Sequence, residues 1–131
     1  MNEIPVLVVD DHPGFRRSVV HLLTSVDQFA VVGEAANSAE ALTLACALRP
    51  RIVILDIRMP GLNGLTIIDQ LKANVSGVIV VVLTLWDTPH YREAAQNSGA
   101  DAFVVKENMF VELLPKIEQL LSSANSLKVT N

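Results

Sequence analysis

Asp10, Asp11, Asp56, Thr84 and Lys106 each stand at the end of an apolar run. Asp10 and Asp11 follow Ile4-Pro5-Val6-Leu7-Val8-Val9, and Asp56 follows Ile52-Val53-Ile54-Leu55. Thr84 follows Val78-Ile79-Val80-Val81-Val82-Leu83, and Lys106 follows Ala102-Phe103-Val104-Val105. Gathered in one place they would make a group of carboxylates with one hydroxyl and one ammonium. Two unit charges about 5 Å apart repel by roughly 3 kcal/mol at an effective dielectric near 20. Crowded carboxylates therefore need a counter-charge, or one of them must take a proton. A lysine supplies one positive charge and a divalent cation supplies more. An all-oxygen donor set, with no histidine or thiolate at metal spacing, favours Mg²⁺ over zinc or copper. Because Mg²⁺ also accepts phosphate oxygens, the constellation fits phosphoryl transfer, with metal, lysine and hydroxyl sharing the charge of the moving group.

The elements that must position these residues alternate along the chain. Uninterrupted β-branched runs read as strands buried on both faces, the mark of a parallel sheet covered by helices. Ligands of such sheets sit outside the carboxyl ends of the strands, which puts all of these residues at one edge. Between the strands, Phe15, Val19, Leu22, Leu23 and Val26 predict a one-faced helix over about 13–27. A second strand covers about 30–35. Asn37 with Glu40 makes a capping-box-like start for the next helix, which ends near Leu48 before Arg49-Pro50. A third helix spans about 63–73, and Gly77 marks the turn into the fourth strand. Thr88-Pro89 opens a fourth helix that Gly99 ends. The fifth begins near Asn108, with Val111, Leu114, Ile117 and Leu121 on one face and a bend expected at Pro115. The reading is an α/β fold, a five-stranded parallel sheet in a doubly wound (βα)5 arrangement, with right-handed crossovers.

These residues, in this order and each at a strand end, resemble the response-regulator receiver domain of two-component signalling. The resemblance runs from about residue 3 to 122. Val8-Val9-Asp10-Asp11-His12, Val31-Val32-Gly33-Glu34-Ala35 and Leu55-Asp56-Ile57-Arg58-Met59-Pro60-Gly61-Leu62-Asn63-Gly64 are similar to the NarL/FixJ branch, whose members usually carry a helix-turn-helix DNA-binding domain after the receiver. The resemblance implies the flavodoxin-like strand order 2-1-3-4-5. It implies that Asp56 is the nucleophile, taking a phosphoryl group from a histidine kinase as an acyl phosphate. Asp11 would bind Mg²⁺ directly and Asp10 through water, with Asp56 and the main-chain carbonyl of Arg58 completing the protein ligands. Lys106 would pair with Asp56 and then with a phosphoryl oxygen, and Thr84 would donate to another. Phe103 matches the switch aromatic that turns inward as the threonine moves, changing the outer face of the fifth strand and the fourth and fifth helices. Such a domain catalyses its own phosphotransfer and dephosphorylation without a turnover substrate, and a homodimer on phosphorylation is among the partners implied.

Other readings stand beside this one. Asp10 or Asp11 could cap the first helix, Asp56 could cap the turn after its strand, Lys106 could be a surface lysine, and Phe103 could be plain core. Leu85 stands after Thr84, where the family usually has a small residue, so access for small phosphodonors, water or a phosphatase would narrow. That departure is the one feature favouring an interaction module that keeps the fold without phosphorylation. A haloacid-dehalogenase-type phosphatase would want a second Asp two residues after its nucleophile, which neither Asp10-Asp11-His12 nor Asp56-Ile57-Arg58 supplies. A flavin carrier would want a Ser/Thr-rich loop where Asp11-His12-Pro13-Gly14 stands. Glu107 follows Lys106 where many receivers have proline, so no cis peptide is expected at that bond.

At 131 residues the chain is one domain long enough for a full core. Residues 1–122 read as the receiver; 123–131 read as a tail or the start of a linker to a DNA-binding domain outside this chain. No apolar stretch approaches the roughly 18 residues of a membrane span, and the start reads as strand, not signal peptide. The sole cysteine, Cys46, reads as core packing on the second helix, compatible with a reducing cytoplasm. A net charge of -4 argues against nucleic-acid binding by this segment. His12, His21 and His90 lack metal-ligand spacing. Trp86 and Tyr91 fit either partner contacts near the site or local packing, and Gly61 and Gly64 shape the loop after Asp56.

Overall fold

Strands without polar interruption can be hidden only between two layers, and the helices of this chain supply both. The computed structural model describes residues 3–58, 64–85 and 87–130, with side chains of the last helix described to residue 124. Expectations placed on Gly61, on Trp86 and on residue 63 as a helix start lie outside the described residues. The elements are β1 (Ile4–Val9), α1 (Pro13–Thr24), β2 (Phe29–Ala35), α2 (Ser38–Leu48), β3 (Ile52–Leu55), α3 (Gly64–Asn74), β4 (Ile79–Thr84), α4 (Pro89–Asn97), β5 (Ala102–Val105) and α5 (Met109–Thr130). A single 3₁₀ turn, Lys106–Asn108, joins β5 to α5. All strand pairs are parallel and the order is β2-β1-β3-β4-β5, as expected of the flavodoxin-like arrangement.

Alternate residues of β1, β3, β4 and β5 serve opposite layers. Val6, Val8, Ile52, Ile54, Val81 and Val104 pack with Val19 and Leu23 of α1 and with Leu113, Ile117 and Leu121 of α5. Leu7, Val9, Val53, Leu55, Val80 and Val82 pack with Ala41 and Ala45 of α2, Ile67, Ile68 and Leu71 of α3, and Ala95 of α4. Each buried Val, Leu or Ile side chain contributes roughly 1.5–3 kcal/mol, so the sheet stays rigid while its polar ends do chemistry.

Local signals set the helix starts. Asn37 Oδ1 accepts from the Glu40 N–H at 2.9 Å, and Glu40 Oε1 accepts from the Ala36 N–H at 2.8 Å, so the reciprocal bond reaches one residue before the cap. Thr88 caps α4 by accepting from the Tyr91 N–H. Gly77 and Gly99 take φ of +75° and +107°, conformations open to glycine, as the chain enters β4 and leaves α4. Arg49 ends α2 in a left-handed conformation, its N–H bonded to the Ala45 carbonyl at 2.9 Å.

Several expectations need correction. Cys46 is exposed, not core: α2 buries Ser38, Ala41 and Ala45, and one further residue turns about 100° away from that face. Val111 is 77% exposed, because α5 buries the four-residue series Met109, Leu113, Ile117 and Leu121. Position 111 lies roughly 200° round the helix from Met109. Pro115, the place of the expected bend, stands inside α5 without ending it; Val111, whose carbonyl it deprives of a donor, is on the solvent side. Helix α1 ends at Thr24, where the Ser25 N–H bonds back to the His21 carbonyl, short of the 13–27 span. Gly64 is the first residue of α3, and residues 123–130 continue α5 as helix despite their small, polar composition. Tyr91 is local packing, half-buried against the α2–α3–α4 layer with the His90 ring edge-on to it. Among the described residues no helix is long and apolar enough to cross a membrane.

Replacing Asn37 with Ala should lower the unfolding free energy by about 1 kcal/mol. The measurement is urea unfolding, where the midpoint should fall at unchanged m-value; Asn37→Ser should retain most of the stability.

Candidate functional site

Strand register brings the polar residues to one edge of the sheet, within two residues of a common level. Val9 pairs with Leu55, so Asp10 and Asp56 leave neighbouring strands side by side, and the Asp56 N–H donates to the Val9 carbonyl at 3.0 Å. Leu55 pairs with Val82, so Thr84, paired with Val105, lies one residue past the Asp56 level and Lys106 two. Asp10, Asp56, Thr84 and Lys106 are all buried, while Asp11 is exposed. The Lys106 side chain crosses the end of β4 and donates to Asp10 Oδ2 at 2.7 Å and to Asp56 Oδ2 at 2.9 Å. Asp11 stands close by: oxygens of Asp10, Asp11 and Asp56 all lie within 4.8 Å of one another. Asp11, His12, Pro13, Phe15, Asp56, Arg58, Thr84, Leu85 and Lys106 line a cavity of about 410 Å³.

The two buried carboxylates are held alike. Asp10 Oδ1 accepts from the His12 N–H and Asp56 Oδ1 from the Arg58 N–H, both at 2.9 Å, while each Oδ2 takes a bond from Lys106. Strong acceptors buried in this way need such partners, or they lose more on desolvation than the pairing returns. Neither Asp10 nor Asp11 caps α1. His12 does so, its Nδ1 accepting from the Phe15 N–H at 3.0 Å, which requires that nitrogen to be unprotonated.

Two further residues escaped the sequence reading. Arg16 donates from Nη1 to the Asp10 carbonyl at 2.8 Å and from Nε to Glu34 Oε1 at 3.0 Å, tying α1 to the loop after β1 and to β2. Phe15, read only as part of an apolar helix face, presents its ring to Lys106 with Nζ 4.2 Å from the centroid. The available signal was their place in the first turn after Asp11. Phe103, by contrast, does not line the acidic cavity. It is half-buried under the Arg92 guanidinium, 4.7 Å from the ring centroid, and lines a separate cavity of about 270 Å³ with Arg92, Ala95, Gln96, Ala100, Asp101 and Ala102.

Burial alone would push the Lys106 ammonium down, but hydrogen bonds from it to Asp10 and Asp56 and the charges of both carboxylates raise its pKa above the ordinary lysine value. A group raised on folding contributes stability that is complete below its unfolded pKa and is lost as pH rises through the folded one. That contribution is therefore intact at neutral pH. One ammonium against three carboxylates leaves net negative charge when all are ionised, and the donors are all oxygen with Asp11 open to water. Such a set fits a hard cation that keeps part of its hydration, as Mg²⁺ does.

The family model for the response regulator receiver domain matches residues 6–118. The chain is 33% identical over 114 residues to the nitrate/nitrite response regulator protein NarL of Escherichia coli, across 87% of this chain and 53% of that protein. It is 32% identical over 117 residues to the DNA-binding transcriptional activator DevR/DosR of Mycobacterium tuberculosis, across 89% of this chain and 54% of the relative. Its fold is similar to that of the isolated REC domain of RcsB from Salmonella enterica serovar Typhimurium, determined in the presence of phosphomimetic BeF3-. That match has a TM-score of 0.85 and 25% identity over 92% of this chain and 90% of the other. A DNA-binding response regulator of the LuxR family from Staphylococcus aureus gives a TM-score of 0.82 and 28% identity over 88% of this chain and 97% of the other. The chain spans about half the length of the curated relatives it matches.

Lys106→Met should leave Asp10 and Asp56 facing each other without their shared cation. The expected cost is roughly 2 kcal/mol, below the 3–5 kcal/mol of a dry buried pair because the cavity admits water. Urea unfolding at neutral pH should show this loss, with millimolar Mg²⁺ restoring more stability to the variant than it adds to the wild type. Above the ordinary lysine pKa of about 10.4 the wild type should lose stability with rising pH and the variant should lack that step. Identical alkaline profiles would contradict the assigned bridge.

Proposed function

The chain belongs to the response regulator receiver domain family, among relatives of NarL type, and from that premise we propose that it is a phospho-acceptor. A histidine kinase supplies the phosphoryl group and Asp56 receives it. The observation that carries this reading is the Lys106 ammonium bonded at once to Asp10 and Asp56 at the wall of an open cavity. In the proposed step a carboxylate oxygen of Asp56 attacks phosphorus and an O–P bond forms. The P–N bond to the kinase imidazole breaks, and its electron pair stays on that nitrogen. Lys106 then turns an N–H from the Asp56 carboxylate to a phosphoryl oxygen, and the Thr84 hydroxyl donates to another. Asp10, Asp11, Asp56 and the Arg58 carbonyl would hold a Mg²⁺ ion, which would supply positive charge to the phosphoryl oxygens. The same residues support slow hydrolysis of the acyl phosphate, so the domain acts on itself and has no turnover substrate.

Signalling follows from Thr84. As its hydroxyl moves to the phosphoryl group it vacates space toward Phe103, two positions before Val105 on the neighbouring strand. The outer face of β5, α4 and α5 then changes shape and serves a homodimer or another output. The half-length match to a DNA-binding transcriptional activator supports a role as the regulatory segment of a longer cytoplasmic regulator, with DNA binding by a C-terminal domain outside this chain.

With Mg²⁺ and acetyl phosphate or a cognate kinase, intact mass should show one added phosphoryl group, labile to hydroxylamine. Asp56→Asn should abolish it, and equal labelling of that variant would overturn the assignment. Leu85, 67% exposed beside the cavity, narrows the approach; Leu85→Ala should speed labelling by the small donor more than by the kinase. The relay is tested separately by NMR of the α4–β5–α5 amides with and without beryllofluoride. Wild type should shift and Thr84→Ala should bind yet shift little; equal shifts would remove Thr84 from the relay.

A further inference from the structure

Lys106 reaches its two acceptors from a distance, and something must hold it there. Its side chain starts after β5 and crosses the end of β4 to meet residues at the ends of β1 and β3. A four-carbon stem with free rotors loses entropy when it is fixed, so the site gains from any neighbour that narrows its choices. An ammonium has three N–H donors; two point to Asp10 Oδ2 and Asp56 Oδ2. The Phe15 ring presents its face to this ammonium, its centroid 4.2 Å from Nζ.

Phe15 does not reach this position by chance of rotation alone. Its own N–H is bonded to His12 Nδ1, and Arg16, the next residue, is bonded to the Asp10 carbonyl and Glu34. The first turn of α1 is thus fixed to the same loop that carries Asp10 and Asp11. The ring is also a wall of the acidic cavity and packs in part against the β1–α1–α5 layer.

We propose that Phe15 is a positioning residue of the phosphoryl site, confining the Lys106 ammonium between Asp10 and Asp56 through its ring face. The ring attracts the cation and leaves it less hydrated, so the N–H groups are aimed before a phosphoryl group arrives. The inference rests on the phospho-acceptor reading and adds to it a residue whose role is aromatic, not merely apolar. A packing role alone would be met by leucine. A ring-face role would be met by tyrosine or tryptophan and lost with leucine.

Two readouts separate these roles in the intact chain. In the wild type and in Phe15→Tyr, the Lys106 Cε protons should be shifted upfield in the proton NMR spectrum by the ring current; in Phe15→Leu that shift should vanish while core methyl signals stay in place. With acetyl phosphate and Mg²⁺, Phe15→Leu should label about five-fold more slowly than wild type, a factor equal to about 1 kcal/mol, and Phe15→Tyr should retain most of the rate. Should Phe15→Leu fail to fold, pentafluorophenylalanine at position 15 keeps the ring's shape while reversing its face polarity, and the same slowing is expected. Equal rates in wild type and the leucine or fluorinated variant overturn this inference alone. Failure of the wild type to label at all, by acetyl phosphate or by a kinase, removes the phospho-acceptor reading and this inference with it.

Discussion

Taking an ammonium and two carboxylates out of water costs several kcal/mol per ion unless each finds its partners. Lys106, Asp10 and Asp56 meet that condition through one shared cation, and the geometry of the strand ends serves it. The free Oδ1 of each aspartate is met by a main-chain N–H two residues on. The chain direction after β1 and after β3 is therefore coupled to the same ammonium, and through it to the end of β5. A change of charge at any of the three is felt by the other two.

That coupling needs a stiff support. The strands behind the site are apolar on both faces, with α1 and α5 on one side and α2, α3 and α4 on the other. At the opposite edge, Asp101 Oδ2 accepts from the Val80 N–H at 2.8 Å and pairs with Lys72, whose Nζ also bonds the Val78 carbonyl. The start of β4 is thus held to the approach to β5 far from the acidic cavity. Movement is then easier at the carboxyl ends of the strands, where side chains and loops carry the polar network, than in the body of the sheet.

Phe103 and the acidic cavity lie on different surfaces, and β4 joins them. Phe103 pairs in register with Val82, two residues before Thr84, and its ring carries Arg92, which is itself bonded to Asp87 at 2.6 Å. An aromatic ring held under a guanidinium has an attraction of about 0.5–1 kcal/mol at an exposed site. That is small enough for the ring to be released by a modest change nearby, as the proposed relay requires.

Those features fixed within a few residues were legible in the sequence. Runs such as Ile52–Leu55 announced two-sided burial, Asn37-Glu40 and Thr88-Pro89 marked helix starts, and Gly77 and Gly99 marked turns, because each depends on local backbone chemistry. The convergence of Asp10, Asp11, Asp56, Thr84 and Lys106 was also legible, since parallel strands must end at a common edge. Helical phase was not. Cys46 and Val111 are exposed because the packed layers chose Ala41–Ala45 and Met109–Leu113 as the inward faces, a choice made by neighbouring elements and not by the helix itself. His12 as a cap, Arg16 on the Asp10 carbonyl and Phe15 over Lys106 likewise depended on how α1 settles against the site. Local propensity fixes where a helix begins; only tertiary packing fixes its rotation, and with it which side chains reach the charge at the end of another strand.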